Sequence, residues 1–88
     1  MRVQATADFL RKHGLLDADM DVIDIGCGPG RFVAEFAKTA HYVEGTDLSP
    51  KMLEYAAEYA ASQGIHNVSF IPCDFKQLDI DEMGWRLF

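Results

Sequence analysis

The hydrophobic positions along the chain alternate between helical spacing and short apolar runs. Residues 3–13 carry apolar side chains three and four positions apart, which predicts a helix that stops at Gly14. After a polar stretch, residues 22–25 form a compact run rich in β-branched side chains, which favour the extended state. The chain is therefore expected to begin with a helix followed by a short buried strand.

The rest of the chain repeats this order. The third helix has the clearest start, because the Ser49 side chain can cap a free amide and Pro50 suits the first helical turn. Strands separated by helices of this length imply parallel pairing through right-handed crossovers in an open sheet of the α/β class. The further predicted elements are a glycine turn, a helix, a strand, a helix and a strand, at residues 26–30, 30–40, 42–46, 50–63 and 67–71.

Composition limits the kinds of protein that the chain can be. Its 88 residues allow one small domain, and 49% hydrophobic with 25% charged residues is an ordinary globular balance. A net charge of -6 argues against a nucleic-acid-binding surface within these residues, because phosphate contacts need clustered Lys and Arg. No apolar run approaches the roughly 20 residues that span a bilayer, so no membrane contact is expected.

The cysteines and histidines are isolated from one another. Cys27 and Cys73 form no C-x-x-C pair, and we expect neither to be a nucleophile. His13, His41 and His66 stand near the ends of predicted elements and are interpreted as surface residues. We therefore predict no metal site, and a reduced, cytoplasmic setting.

The segment with the richest chemistry is the glycine turn after the first strand. Gly26, Gly28 and Gly30 lie between a strand and a helix, where glycine allows a tight turn and the close approach of a ligand. Asp47 follows the second strand, about 20 positions downstream, where doubly wound sheets place an acidic residue that binds the ribose of an adenosine ligand. Together they predict an adenosine site.

The glycine spacing bears on which adenosine ligand binds. A dinucleotide site has the pattern G-x-G-x-x-G, but Arg31 occupies its last position here and the third glycine comes one residue earlier. A methyl donor such as S-adenosylmethionine carries no phosphate, so it depends less on a helix amino terminus. The spacing therefore favours this donor over NAD.

Three segments resemble the motifs of class I S-adenosylmethionine-dependent methyltransferases, in the same order. They are residues 22–30, 45–49 and 71–75, and the resemblance covers residues 3–75. It implies a three-layer, Rossmann-like α/β fold, truncated to its first three parallel strands in the order 3-2-1. Residues 1–88 would be the amino-terminal, cofactor-binding half of such a domain, without the half that binds the acceptor.

The resemblance also implies a role for each matching residue. Asp24 would help to hold the loop and the amino end of the donor. The glycines of the loop would form the surface on which the donor lies. Asp47 would bind the ribose hydroxyls, with Leu48 against the adenine. Asp74 would meet the exocyclic amine of adenine, and Phe75 would pack on the ring or flank it. The predicted cofactor-binding residues are Asp24, Gly26, Cys27, Gly28, Gly30, Asp47, Leu48, Asp74 and Phe75.

Each acidic residue also has a purely structural interpretation. Asp24 could anchor the turn through loop amides, and both roles can hold together. Asp47 could be a helix-start carboxylate stabilised by the helix dipole. Asp74 could belong to an ordinary turn after a strand.

The function implied by the resemblance is methyl transfer to an unidentified acceptor, with S-adenosylmethionine as cofactor. No residue can be nominated as a catalytic base. The alternatives are a non-catalytic fragment that binds an adenosine ligand and a nucleotide-dependent oxidoreductase. Without a fourth strand, the first strand and one face of the sheet would be exposed. The chain alone is therefore expected to be inactive, and either to associate through these surfaces or to be part of a longer chain.

Overall fold

A computed structural model describes residues 3–72 and the backbone of residues 86–87. The elements in chain order are α1 (Val3–Lys12), β1 (Asp21–Ile25), α2 (Arg31–Ala37), β2 (Tyr42–Asp47), α3 (Pro50–Ser62), β3 (Val68–Pro72) and β4 (Arg86–Leu87). Every predicted helix and strand is present, with its ends within three residues of the prediction.

The strands form one sheet in which every neighbouring pair is parallel, in the order β3-β2-β1-β4. Val43 on β2 lies in register with Val22 on β1 and with Val68 on β3. The predicted order 3-2-1 of the first three strands is therefore confirmed.

The sheet differs from the prediction at its β1 edge. Arg86 and Leu87 pair with Val22 and Ile23, so a short fourth strand covers part of the edge that was expected to be free. The backbone amide and carbonyl groups along the edge of a buried strand need hydrogen-bond partners. A segment that pairs with this edge supplies them and is stabilised there. The expectation that the edge of the first strand would be free is therefore wrong at Val22 and Ile23. Self-association stays a prediction, without that open edge as its basis.

The hydrophobic core lies between one face of the sheet and the three helices. Val22 and Val43 are fully buried on this face and pack in one cluster with Val33 and Phe36 of α2 and Leu53 of α3. Helix α1 packs on α2, and α2 packs on α3, so the helices form a continuous layer. This single-sided layer was expected from three successive crossovers in one direction.

The opposite face is not bare, which corrects a second expectation. Side chains alternate between the faces of a strand, so Ile23 and Glu44 point away from the helices. Ile23 is fully buried, and Glu44 is 6% exposed. The prediction considered only burial by helices, whereas these two side chains are buried on the face that the helices do not contact. Ile71, nearer the β3 edge, is 44% exposed.

Helix α1 is held against α2 by a charged side chain. Arg11 donates to Glu35 Oε1 at 3.3 Å and to Asp8 Oδ1 of its own helix at 2.8 Å. Thr6 and Leu10 of α1 line a cavity together with Asp24 and Ile25, so α1 lies beside the carboxyl end of β1, where the candidate site begins. Within the described residues, no helix is long and apolar enough to cross a membrane.

Candidate functional site

The loop between β1 and α2 has a backbone that depends on glycine. Gly26, Gly28 and Gly30 have φ values of 73°, 53° and 80°, in the left-handed region that side chains with a Cβ disfavour. The turn closes through the Gly30 amide, which donates to the Cys27 carbonyl at 3.1 Å. Pro29, between them, has no amide proton to place.

The end of β2 binds the other loop amides. The amides of Gly26 and Cys27 both donate to the Thr46 carbonyl, each at 2.8 Å. The next amide, that of Gly28, donates to Asp47 Oδ2 at 3.0 Å. All the amide protons of residues 26–30 are therefore bound within the fold, three of them by two consecutive residues of β2.

Asp47 also binds the turn that leads into α3. Its second oxygen, Oδ1, accepts the Ser49 amide at 2.9 Å. The helix-start interpretation of Asp47 is therefore correct as far as this bond goes. It does not exclude a ligand, because an ionised carboxylate offers about four acceptor positions and these two amides occupy two of them. The next residue, Leu48, is 74% exposed and presents an apolar surface beside the carboxylate.

The three glycines have two different surroundings. A Cβ on Gly26 or on Gly28 would meet nothing within 4 Å, so this part of the loop borders open space. A Cβ on Gly30 would lie 2.5 Å from the Ala56 Cβ and 2.9 Å from its Cα. Gly30 is therefore required for the close packing of the loop on α3, which explains why the third glycine comes one residue earlier than in the dinucleotide pattern.

The side chain of the following residue, Arg31, packs on an aromatic ring, so it is not assigned to phosphate binding. Its guanidinium carbon lies 5.2 Å from the centroid of the Tyr59 ring on α3, within range of a cation–π interaction. Two consecutive residues of the loop and helix start, Gly30 and Arg31, thus pack against α3.

Asp24 lies on the other side of the loop, at the end of β1. Burial and, secondarily, the nearby Asp47 charge raise the pKa of its carboxyl group from 3.8 to about 6. The side chain lines a cavity of about 430 Å³, a volume typical of small-molecule pockets. The cavity is lined by Thr6, Leu10, Asp24, Ile25, Phe32 and Phe36.

Cys27 is part of the loop structure. It is 8% exposed, and burial together with the charges of Asp24 and Asp47 raises the pKa of its thiol to about 12. A Cβ on Gly45 would lie 3.0 Å from its sulfur, so the thiol packs directly over β2. A thiol that keeps its proton at neutral pH is a poor nucleophile, in line with the sequence analysis.

The structure thus brings Asp24, the glycine loop, Asp47 and Leu48 together at the carboxyl ends of β1 and β2. Two of the nine predicted site residues, Asp74 and Phe75, lie outside the described residues. Among residues 3–72, no group of His, Cys, Asp and Glu could hold a metal ion.

Sequence reasoning missed several residues that build this site. Thr46 acts through its carbonyl, which any residue could supply, and nothing in the sequence identifies it. Ala56 is the partner of Gly30, and only the helix packing shows it. The aromatic residues Phe32 and Phe36 were placed on one face of the second helix, but their position beside Asp24 required the three-dimensional arrangement.

Comparison with known proteins identifies the family. A family model described as a methyltransferase domain matches residues 16–83. The chain belongs to the class I S-adenosylmethionine-dependent methyltransferases. The matched region includes the glycine loop, both strand-end carboxylates and β3.

Two curated relatives show how varied the family is. A 23S rRNA (uracil-C5) methyltransferase from Shewanella sediminis is 38% identical over 73% of this chain and 14% of its own length. A trans-aconitate 2-methyltransferase from Streptomyces coelicolor is 36% identical over 92% of this chain and 28% of its own length. The chain therefore spans less than a third of either relative.

A solved structure agrees with the fold. An RNA methyltransferase from Salinibacter ruber, in complex with S-adenosylhomocysteine, superposes with a TM-score of 0.76 at 26% identity. The match covers 89% of this chain and 52% of that one. The Rossmann-like fold of the methyltransferases is thereby shown for the chain, and the cofactor of its family is S-adenosylmethionine.

Proposed function

We propose that this chain binds S-adenosylmethionine across the carboxyl ends of β1 and β2, as the cofactor-binding half of a methyltransferase. The observation that carries the proposal is the pairing of two strand-end carboxylates, Asp24 and Asp47, on either side of a glycine loop whose amides are all bound within the fold.

The residues at this edge fit the donor. The loop has open space at Gly26 and Gly28, so a ligand can approach the backbone closely. Asp47 keeps acceptor positions for two neighbouring ribose hydroxyls, and the exposed Leu48 can pack against the adenine ring. The cavity beside Asp24 is large enough to admit the methionine end.

Charge separates this donor from a dinucleotide. A dinucleotide site also uses amides of the glycine loop to bind the pyrophosphate, and the amides of residues 26–30 already have partners here. The pyrophosphate would also meet the negative charge of Asp47 and, above its pKa of about 6, that of Asp24. The methyl donor instead brings a sulfonium and an ammonium group, which these carboxylates attract. The nucleotide-dependent oxidoreductase is therefore disfavoured.

In such an enzyme, the residues of this chain would position the donor and remove water from around it. They would not exchange protons with it. When bound, S-adenosylmethionine supplies a methyl group that is already activated on a sulfonium. Asp47 would fix the ribose, and Asp24 would pair with the ammonium group. Holding both reactants in line is worth roughly 7 kcal/mol or more. We nominate no catalytic base among these residues, since the identity of the acceptor decides whether one is needed.

The acceptor would be recognised by other parts of a longer protein. One relative is named for an RNA base and another for a small organic acid, although both resemble this chain. We therefore assign the residues at the ends of β1 and β2 to donor binding and propose no acceptor for them.

Calorimetric titration of the folded protein with S-adenosylhomocysteine and with NAD tests the proposal. We expect S-adenosylhomocysteine to bind at least ten-fold more tightly (about 1.4 kcal/mol) because only NAD carries a pyrophosphate to the two carboxylates. Tighter binding of NAD, or binding of neither compound, would contradict the proposed function.

A further inference from the structure

We propose that Asp47 is a positioning residue as well as a ribose ligand: its carboxylate fastens the glycine loop to the first turn of α3. We call this pair of hydrogen bonds, Gly28–Asp47 and Ser49–Asp47, the Asp47 bridge. The proposal rests on the proposed function, because it concerns how the donor site is held in shape. It adds a role that does not pass through the ribose.

The geometry of the bridge uses both carboxylate oxygens. Oδ2 accepts the Gly28 amide at 3.0 Å, across 19 positions of sequence, and Oδ1 accepts the Ser49 amide at 2.9 Å. Hydrogen bonds from amides to an ionised carboxylate are stronger than neutral ones. A single side chain thereby connects the loop after β1 with the turn after β2.

The loop depends on this side chain at one position in particular. The amides of Gly26 and Cys27 are held by the main-chain carbonyl of Thr46, which no substitution removes. Gly28 has a φ of 53° and open space where its Cβ would be, so packing on that side does not hold it. Its amide is bound by the Asp47 carboxylate, and the position of the loop tip therefore follows that of Asp47.

The bridge and ribose binding are compatible. Two of the roughly four acceptor positions of the carboxylate are used by amides, so positions remain for the ribose hydroxyls. A site that is already ordered loses less conformational freedom when a ligand binds, which raises its affinity. Asparagine cannot replace the bridge, because its amide nitrogen would face one of the two donor N–H groups.

A binding cycle separates the two roles of Asp47. S-adenosylhomocysteine and its 2′,3′-dideoxyribose analogue are titrated into the wild-type protein and into the Asp47→Ala variant. If Asp47 acts only through the ribose hydroxyls, the substitution leaves the affinity for the analogue unchanged. The bridge predicts that it weakens binding of the analogue as well, by about ten-fold, and binding of S-adenosylhomocysteine by more.

The matched control is Ser49→Ala. It removes the side-chain oxygen that accepts the Met52 amide at 3.3 Å, but it keeps the Ser49 amide that donates to Asp47. We expect this variant to lose some helix stability and to keep its affinity for both ligands within about two-fold. A loss equal to that of Asp47→Ala would overturn the bridge, since a general weakening of the turn would then explain both results.

Amide hydrogen exchange of the wild-type protein, followed by NMR, needs neither a variant nor a ligand. The bridge predicts that the Gly28 amide is protected to the same degree as the Gly26 and Cys27 amides. Exchange of Gly28 at the rate of an unprotected amide would overturn the proposal. If S-adenosylhomocysteine fails to bind while Gly28 is protected, the proposed function is wrong and the bridge is not.

Discussion

The two sides of the glycine loop are built from neighbouring strand ends, yet their acidic residues have different surroundings. On the β2 side, Asp47 accepts two backbone amides, and Gly30 lies against Ala56 with no room for a Cβ. On the β1 side, Asp24 lines an apolar cavity, and burial raises the pKa of its carboxyl group to about 6. The first side is fixed by bonds and packing, whereas the second holds a charge at a cost in stability.

The difference shows how one edge of a sheet can both hold its shape and receive a ligand. A carboxylate that binds amides stabilises the fold, so Asp47 and the loop are ordered together. A carboxylate kept in an apolar cavity is destabilising until a cation arrives, so Asp24 is suited to the ammonium end of the donor. Functional sites commonly carry such a cost in stability.

The largest expected effect is on the packed side of the loop. Gly30→Ala places a methyl group 2.5 Å from the Ala56 Cβ at a φ of 80°, so overpacking adds to backbone strain. We expect the free energy of unfolding, measured by urea denaturation, to fall by about 3 kcal/mol.

Gly28→Ala is the matched control, since it adds the same methyl group to the same loop. Its φ of 53° brings strain, but nothing lies within 4 Å of the added carbon. We expect a loss of about 1 kcal/mol. Equal losses for the two variants would show that the loop is not packed more tightly at Gly30 than at its tip.

A smaller effect, of opposite sign, is expected on the Asp24 side. Asp24→Asn removes a carboxylate that the fold disfavours, so the ligand-free protein should become more stable at pH 7.5, by on the order of 2 kcal/mol. For a domain of this size, the melting temperature would rise by roughly 10 °C.

The pH dependence of this gain follows from the raised pKa. The folded protein keeps its proton on Asp24 up to about pH 6, whereas the unfolded chain loses it near 3.8. The contribution of Asp24 to the free energy of unfolding of the wild-type protein therefore declines as the pH rises from about 4 to about 6. At pH 3.5 the Asp24→Asn variant should have no stability advantage over the wild type. Asp19→Asn removes a carboxyl group at an exposed position and serves as the control for the loss of one acidic side chain. A pH-independent difference would contradict the burial of Asp24.

Much of this architecture could be predicted from the sequence, because local signals and crossover rules agree. The spacing of apolar residues, the Ser49–Pro50 helix start and the glycine turn gave the elements, and right-handed crossovers gave the order of the first three strands. The predictions failed where a distant segment mattered. A two-residue strand at Arg86–Leu87 carries no periodic signal, so its pairing with β1 could not be foreseen.

The candidate site was predictable as a set of residues but not as a set of contacts. The positions of Asp24 and Asp47 relative to the glycines indicated their shared location. The sequence does not show which glycine of the loop packs closely and which ones border open space. Ala56 of α3 lies 26 positions from Gly30 in the chain and contacts it only in the folded state. The amide bonds of Asp47 likewise depend on how the loop folds back over β2.

Under the proposed function, the two carboxylates divide the donor between them: Asp47 binds the ribose and Asp24 binds the amino end. Affinities of Asp24→Asn and Asp47→Ala for S-adenosylhomocysteine and for 5′-methylthioadenosine, which lacks the amino-acid end, test it most directly. We expect Asp47→Ala to weaken the binding of both ligands. We expect Asp24→Asn to weaken the binding of S-adenosylhomocysteine by about ten-fold and to leave that of methylthioadenosine unchanged. Equal weakening of both ligands by Asp24→Asn, or of neither by Asp47→Ala, would contradict it.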